Sequence, residues 1–490
     1  MGTNTLMPDM TDMEFREALA KVGDWIANYR KRVGELPVLA QTAPGRIERA
    51  LPQQAPVQGE PLESWLRDLD ELILPGITHW NHPGFMAYFG ITASAPGILG
   101  ELVSGMFNVN GMLWKTSPAL VELEQVVMRW YAAAMGLPAD WFGMITDTAS
   151  TSTLVALAAA REAAGLNIRE DGLSGKPPLV LYCSQEAHSS VDKAGLVLGV
   201  GTKGIRHIPS DDLFRMRCDA LREAIERDLR EERRPFAVVA SVGTTSVTAV
   251  DPVPEIARIC RHYGLWLHVD AAYAGTASIA PEFRWALEGC DQADSLVTNP
   301  HKWLFTPIDC SALFTRRPEV FRNAFSLIPE YLRTGAQGVV DLMDYSFQLG
   351  RRFRALKLWF VFRYFGTDGI AARIREHVRL AGELAGWVDA HPQLERLAPV
   401  NFSVVCFRVH PRGMDDEVEL ERLNSTVIEK VNAGGEIFIS HTKIRGKYSI
   451  RVAIGNLQTT KDRVRRAFEL ICAAGGIWIG GGIGGRTQCC

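Results

Sequence analysis

The chain has 490 residues, 47% of them hydrophobic and 22% charged, with a formal net charge of −3. That length is roughly three ordinary domains, ample for extensive cores, and the composition is that of a folded chain and not a disordered one. The near-neutral balance argues against nucleic acid or an anionic membrane as a partner. Nine cysteines, an odd count without a CxxC pair, stand mostly in apolar patterns where free cysteine acts as a small hydrophobe. The first residues lack a basic segment followed by an apolar run, and no apolar stretch of about twenty residues suggests a membrane span. The expected compartment is therefore the reducing cytoplasm.

Residues 13–33 put Phe15, Leu19, Val22, Trp25, Ile26 and Tyr29 at helical spacing, and Arg30, Lys31 and Arg32 close the run where a helix favours positive charge. Residues 36–61, rich in Pro, Gln and Gly, read as a connection, and 61–74 as a second amphipathic helix. Two such helices with few partners would be marginal alone. They are expected to pack on another subunit. Residues 78–89 are dense in aromatic side chains. His79 and His82 lack an acid or cysteine at ligand spacing, so no metal is expected.

Ser117 and Pro118 open a helix as N-cap and first residue, running to Met135. Residues 143–146 lead into Asp147-Thr148-Ala149-Ser150-Thr151-Ser152 and a helix over 153–164. Small residues and hydroxyls at a helix N-terminus form either a plain capping box or a cradle for a phosphate. Residues 179–183 and 236–242 read as buried strands, the second ending in Gly243-Thr244-Thr245-Ser246. With helices over 253–263 and 319–326, the alternation predicts βαβ units and a mostly parallel sheet. No GxGxxG turn with a trailing acid stands in such a unit, which argues against a dinucleotide fold.

Residues 265–269 and 295–298 read as neighbouring continuous-apolar strands, one ending at Asp270 and the other leading to Asn299-Pro300-His301-Lys302-Trp303. Either charged residue alone would pass for a helix cap or a solvated lysine. Together, at the carboxyl ends of strands where α/β folds bind ligands, they suit one cofactor. An aspartate beside a pyridine nitrogen keeps it protonated, and a lysine amine condenses with an aldehyde. Pyridoxal 5′-phosphate (PLP) needs both, and its phosphate favours the cradle reading of residues 148–150.

Residues 328–347 carry glycines and a proline with little periodicity and are long for a plain connection, so they are expected to be functional or mobile. Gly350 precedes a helix over 353–365. The pattern then changes to helix 370–388, strand 402–409, helix 417–431, strands 437–440 and 449–454, and helix 461–473, a smaller α+β unit. The Gly-rich tail 475–490 reads as disordered, and Cys489-Cys490 lacks the basic flank of a lipidation signal.

His268-Val269-Asp270-Ala271-Ala272-Tyr273-Ala274-Gly275 followed by Asn299-Pro300-His301-Lys302-Trp303 resembles the PLP-dependent group II amino-acid decarboxylases, and within them the aromatic L-amino-acid decarboxylases. The similarity runs from about residue 65 to 470. It implies fold type I, the aspartate aminotransferase-like α/β arrangement, with a helical dimerisation segment (1–94), a large PLP domain (95–366), a small α+β domain (367–474) and the tail. It implies a homodimer with active sites at the subunit interface. His188 would stack on the cofactor ring and touch the substrate carboxylate, with Ala272 on the other face and Thr245 beside the ring. Asn299, His301 and Lys302 complete the cofactor set with Thr148, Ala149, Ser150 and Asp270. Many relatives have Gly-Gly-Thr or Gly-Ser-Ala where this chain has Asp147-Thr148-Ala149, which sets a carboxylate beside an anion.

The same resemblance implies that Trp80, Tyr88, Phe89, Met112 and Gly350 edge the substrate pocket, and that Tyr331 is the proton donor of a catalytic lid. The expected reaction is decarboxylation of an aromatic L-amino acid. Gly350 leans to tryptophan, because a small residue there accompanies indole substrates in plant relatives; phenylalanine, tyrosine and DOPA stay open. The alternatives are an aromatic aldehyde synthase, against which Tyr331 argues, an acidic amino-acid decarboxylase, against which the aromatic cluster argues, and a silent scaffold of the same fold.

Overall fold

The computed structural model describes residues 8–327 and 338–478. Seven strands form the larger sheet: β1 (Phe142–Thr146), β2 (Leu179–Ser184), β3 (Ile205–Ile208), β4 (Arg234–Ser241), β5 (Trp266–Asp270), β6 (Ser295–Thr298) and β7 (Ser311–Thr315), in the order β1-β7-β6-β5-β4-β2-β3. From β3 to β6 the pairings are parallel, and β7 runs antiparallel to both β6 and β1. The reversal follows from chain length. A parallel return needs a crossover of a dozen or more residues, usually a helix, whereas residues 299–310 are taken up by the lysine turn and the short helix Pro300–Trp303. The carboxyl ends of β1, β4, β5 and β6 and the start of β7 thus share one edge of the sheet.

The interior strands are buried along their length, as their continuous apolar runs require. The helix Ala149–Ala163 covers one face with Val155, Ala156, Ala159 and Ala160, small enough to bring its axis close to the strands. The helix Ala95–Phe107 has no counterpart among the elements expected from the sequence. Two of its glycines are what seat it: a Cβ on Gly100 would lie 2.6 Å from Lys357 Cα, and one on Gly97 2.4 Å from Pro307 Cδ.

A second, antiparallel sheet of β8 (Leu394–Arg396), β9 (Val404–Val409), β10 (Ser440–Ile444) and β11 (Lys447–Ala453) has the order β10-β11-β9-β8. The helices Glu417–Ala433 and Lys461–Ala474 cover it over a separate core that includes Phe407, Val427, Ile450, Val452 and Ile471. Two features cross the expected divisions at 94/95 and 366/367. The helix Arg354–Asp389 runs through the second, bent where Gly366 adopts φ 62°. The stretch 84–86 joins the small sheet: Phe85 bridges Phe438, and Ala453 N–H donates to Met86 O. Residues 437–439, expected as a strand, make this contact, and the hairpin strand itself begins at Ser440.

At the N-terminus the helix Asp12–Arg32 is closed by a Thr11/Glu14 capping box and buries none of its side chains. Among the described residues no helix is long and apolar enough to cross a membrane.

Candidate active site

The turns after β5 and β6 are tied together by backbone. Asn299 N–H donates to Ala272 O (3.0 Å), and Lys302 N–H donates to Asn299 O (2.9 Å). This brings Lys302 to the sheet edge where Asp270 ends β5. Asp270 is 8% exposed and its Oδ1 accepts from Ala272 N–H at 3.0 Å. Burial lowers the pKa of Lys302 and Arg451 adds to that, while Asp270 works the other way. An amine held below its ordinary range has more of the neutral form that attacks an aldehyde.

Two histidines flank the lysine with their tautomers set by backbone donors. Ser190 N–H donates to His188 Nδ1 (3.1 Å), and Cys310 N–H donates to His301 Nδ1 (3.0 Å). Each neutral ring therefore carries its proton on Nε2. Burial lowers both pKa values, that of His301 to about 3, and Asp270 partly offsets the effect at His188.

These groups open into a cavity of about 360 Å³ between the two sheets. Trp80, Tyr88 and Phe89 line it with His188, Thr245, His301 and Lys302. Trp80 stacks on Tyr88 with centroids 5.8 Å apart. Phe89 stacks on Tyr273 at 3.9 Å, and Tyr273 on Trp303 at 4.5 Å. Lys302 Nζ lies 5.2 Å from the Phe89 centroid and the Arg451 guanidinium 4.7 Å from it.

Arg451 escaped the sequence reading. It is 4% exposed and donates to the carbonyls of Ser246 (3.0 Å), Thr245 (2.9 Å) and Tyr88. It has no carboxylate partner among the described residues, and burial lowers its pKa. An arginine within the apolar strand 449–454 was the available signal, since a buried charge is costly without a partner. Ser246 and Thr442, joined hydroxyl to hydroxyl at 2.8 Å, were likewise missed and link the large sheet to the small one at the cavity.

The predicted cradle lies on the same edge. Thr146 Oγ1 is 2.7 Å from Ser152 Oγ, which is 2.9 Å from Ser311 Oγ, next to the Cys310 that holds His301. Thr148 is the N-cap of the helix Ala149–Ala163, but its side chain makes no capping bond. Its N–H and hydroxyl instead face Asp147 Oδ1, at 2.5 and 3.2 Å.

Two expected pocket residues are not among those lining the cavity. Met112 and Gly350 belong to two abutting loops, linked where Met343 N–H donates to Met112 O and Gly111 N–H to Arg351 O. Arg351 N–H also donates to Asn110 Oδ1 at 3.0 Å, which holds the 341–351 stretch against residues 110–113. Tyr331 and Cys489-Cys490 lie outside the described residues.

The residues present fit PLP. A buried amine stands for its aldehyde, a carboxylate for its ring nitrogen and an uncapped helix N-terminus for its phosphate. Asn299 Oδ1, buried and without a partner among the described residues, is a polar group a cofactor could satisfy.

Comparison with known proteins agrees with this fit. Residues 44–410 match the pyridoxal-dependent decarboxylase conserved domain. The chain is 40% identical over 482 residues to tyrosine decarboxylase 4 of Petroselinum crispum, covering 96% of this chain and 94% of that one. It is 40% identical to a tryptophan decarboxylase of Camptotheca acuminata, covering 94% of each. It is 38% identical to phenylacetaldehyde synthase of Arabidopsis thaliana, covering 96% and 97%. The crystal structure of Oryza sativa TDC with PLP and tryptamine superposes with a TM-score of 0.93 at 34% identity, over 96% of this chain and 99% of that one. The mostly parallel sheet with its flanking helices is thus the type I fold of PLP enzymes, and PLP is the cofactor.

Proposed function

This chain belongs to the pyridoxal-dependent decarboxylase family, and on that premise we propose that it decarboxylates an aromatic L-amino acid to the arylalkylamine and carbon dioxide. When bound, PLP supplies an aldehyde for the substrate amine and a ring that takes up the electron pair left at the α-carbon. Lys302 anchors it. Asp270 would hold the proton on its pyridine nitrogen, Thr245 and Ala272 would border the ring, and residues 148–150 with Asn299 and His301 would receive the phosphate. His188, with its proton on Nε2, donates toward the substrate carboxylate.

The observation that carries the aromatic substrate is the wall of Trp80, Tyr88 and Phe89 facing Lys302 across the cavity. Arg451 is the one guanidinium among the described residues lining the cavity. The α-carboxylate would occupy it, leaving no second guanidinium among the described lining residues for an acidic side chain, which disfavours the acidic amino-acid reading. Tryptophan is the favoured member of the class. Amine production from a panel of tryptophan, tyrosine, DOPA, phenylalanine and glutamate tests this, and preference for glutamate would overturn it.

Aldehyde synthesis is the second reading, favoured by the likeness to phenylacetaldehyde synthase. Tyr331 opposes it as the proposed donor of a proton to the α-carbon. Tyr331→Phe should keep carbon dioxide release and divert much of the product to aldehyde, ammonia and peroxide in air. Amine at the wild-type rate without peroxide would remove Tyr331 from that role.

We also propose an obligate homodimer in the cytoplasm. The helix Asp12–Arg32 has no fully buried side chain within the chain, and Leu102, Met106 and Phe107 stand exposed close to the loop of Met112. A second copy covering this surface would bring its Met112 and Gly350 to the cavity. A monodisperse active monomer in light scattering would refute this. The seven described cysteines are all free and buried, which suits a reducing compartment.

A further inference from the structure

We infer that Asp147 is an internal competitor for the cofactor phosphate, so that this enzyme holds PLP more loosely than its own cradle would allow. The inference rests on the reading that residues 148–150 receive the phosphate.

A helix of fifteen residues begins at Ala149, and its first N–H groups, with the dipole behind them, favour an anion. Thr148 should add an N–H and a hydroxyl. Both are already engaged, by the same oxygen of Asp147, at 2.5 and 3.2 Å. The other carboxylate oxygen accepts from Gln348 Nε2 at 3.4 Å. An arriving phosphate must take these two donors from a carboxylate that carries its own sign of charge.

The surrounding charges do not relieve the conflict. Arg354 raises the positive potential nearby, but Asp309 holds it with two bonds, at 2.9 and 3.1 Å. Lys357 and Arg352 both pair with Glu101. His301 is held neutral by burial. Arg354, Lys357 and Arg352 are therefore each already paired with a carboxylate other than Asp147. Asp147 itself forms no ion pair among the described residues. It feels Arg354 only at longer range.

The arrangement has a use in the cofactor-free protein. Asp147 satisfies Thr148 at a helix start that would otherwise present open donors. It therefore lowers the free energy of the apo form and raises that of the phosphate-bound form, which makes the cofactor exchangeable. Asparagine removes the charge and keeps the shape. Glycine removes the side chain altogether.

The test uses full-length apoenzyme and two titrants, PLP and pyridoxal, which carries the same aldehyde and ring without the phosphate. Binding is followed by protein fluorescence and cofactor absorbance, independently of turnover. Asp147→Asn and Asp147→Gly should each lower the Kd for PLP at least tenfold and leave that for pyridoxal within about twofold. The apo Tm should fall in both variants and the gain in Tm on adding PLP should grow. Thr148→Val is the control for the cradle itself and should weaken PLP alone. If Thr148→Val weakens PLP while both Asp147 variants leave it unchanged or weaker, the competitor role is overturned and the cradle stands. If none of the three alters PLP affinity, the cradle reading falls as well. Equal tightening of PLP and pyridoxal would place the effect away from the phosphate and overturn the inference.

Discussion

The two walls of the cavity are built on different plans. On the cofactor wall, Asp270 and Lys302 come from adjacent strands of one buried sheet, cross-tied by backbone bonds between their turns. On the substrate wall, Tyr88 meets Arg451 across 363 residues of sequence, and Ser246 meets Thr442 across 196. The first wall is one rigid element. The second exists only when two sheets dock. The chemistry common to a family needs fixed geometry, which a sheet edge supplies. Substrate choice needs a surface that can vary without disturbing that edge.

The contrast predicts unequal damage. Lys302→Ala should abolish covalent attachment of the cofactor and product formation, with the fold intact. Borohydride reduction followed by mass mapping checks this, and label still retained on the protein would move the anchor to another lysine. Asp270→Asn should leave PLP bound and cut turnover by roughly 10²- to 10⁴-fold, the span a positioned acid–base group supplies. An unchanged rate would remove Asp270 from the mechanism.

On the substrate wall the loss should fall on binding. Arg451→Gln leaves the carbonyls of Ser246, Thr245 and Tyr88 short of donors and, on the proposed reading, would leave the substrate carboxylate without its cation. A hydrogen bond to a charged group contributes about 1.5–3 kcal/mol, so KM should rise about ten- to a hundredfold with a smaller change in kcat. Equal loss in both parameters would place Arg451 among the groups that act on the reacting atoms.

The same contrast explains what could be read from the sequence. The cofactor wall is written in short runs: residues 268–275 and 299–303 carry their chemistry within a few positions. The substrate wall was read only in part. Trp80, Tyr88 and Phe89 are a local cluster, but Arg451 gains its meaning from carbonyls far away in the chain. Met112 and Gly350 were assigned to the pocket although one chain alone does not bring them there. The antiparallel β7 and the helix Ala95–Phe107 were missed for a related reason. One depends on how much chain the lysine turn consumes, the other on neighbours close enough to require glycine.

The smallest predicted effect lies where the walls are joined. Trp303, beside the lysine, donates from Nε1 to His377 Nδ1 at 3.0 Å, and His377 Nε2–H donates to Asn456 O at 3.1 Å. Asn456 in turn donates to the carbonyls of Trp80 and His82. One neutral imidazole thus connects the cofactor wall to the substrate wall. Burial lowers its pKa to about 4, below the ordinary value of 6.5. The unfolded chain therefore binds a proton between pH 6.5 and 4 that the folded chain refuses. Stability from this group is intact above about pH 6.5 and is lost as pH falls toward 4, at about 1.4 kcal/mol per pH unit. His82 and His268, also lowered to about 4, act in the same direction. His377→Gln offers an acceptor to Trp303 and a donor to Asn456 without a titratable proton. At pH 7.5 it should cost little stability or activity. Between pH 6.5 and 4.5 its denaturation midpoint should fall less steeply than that of the wild type. Parallel pH profiles for the two proteins would show that His377 is not protonated on unfolding in that range, and that the joint between the walls is insensitive to acid.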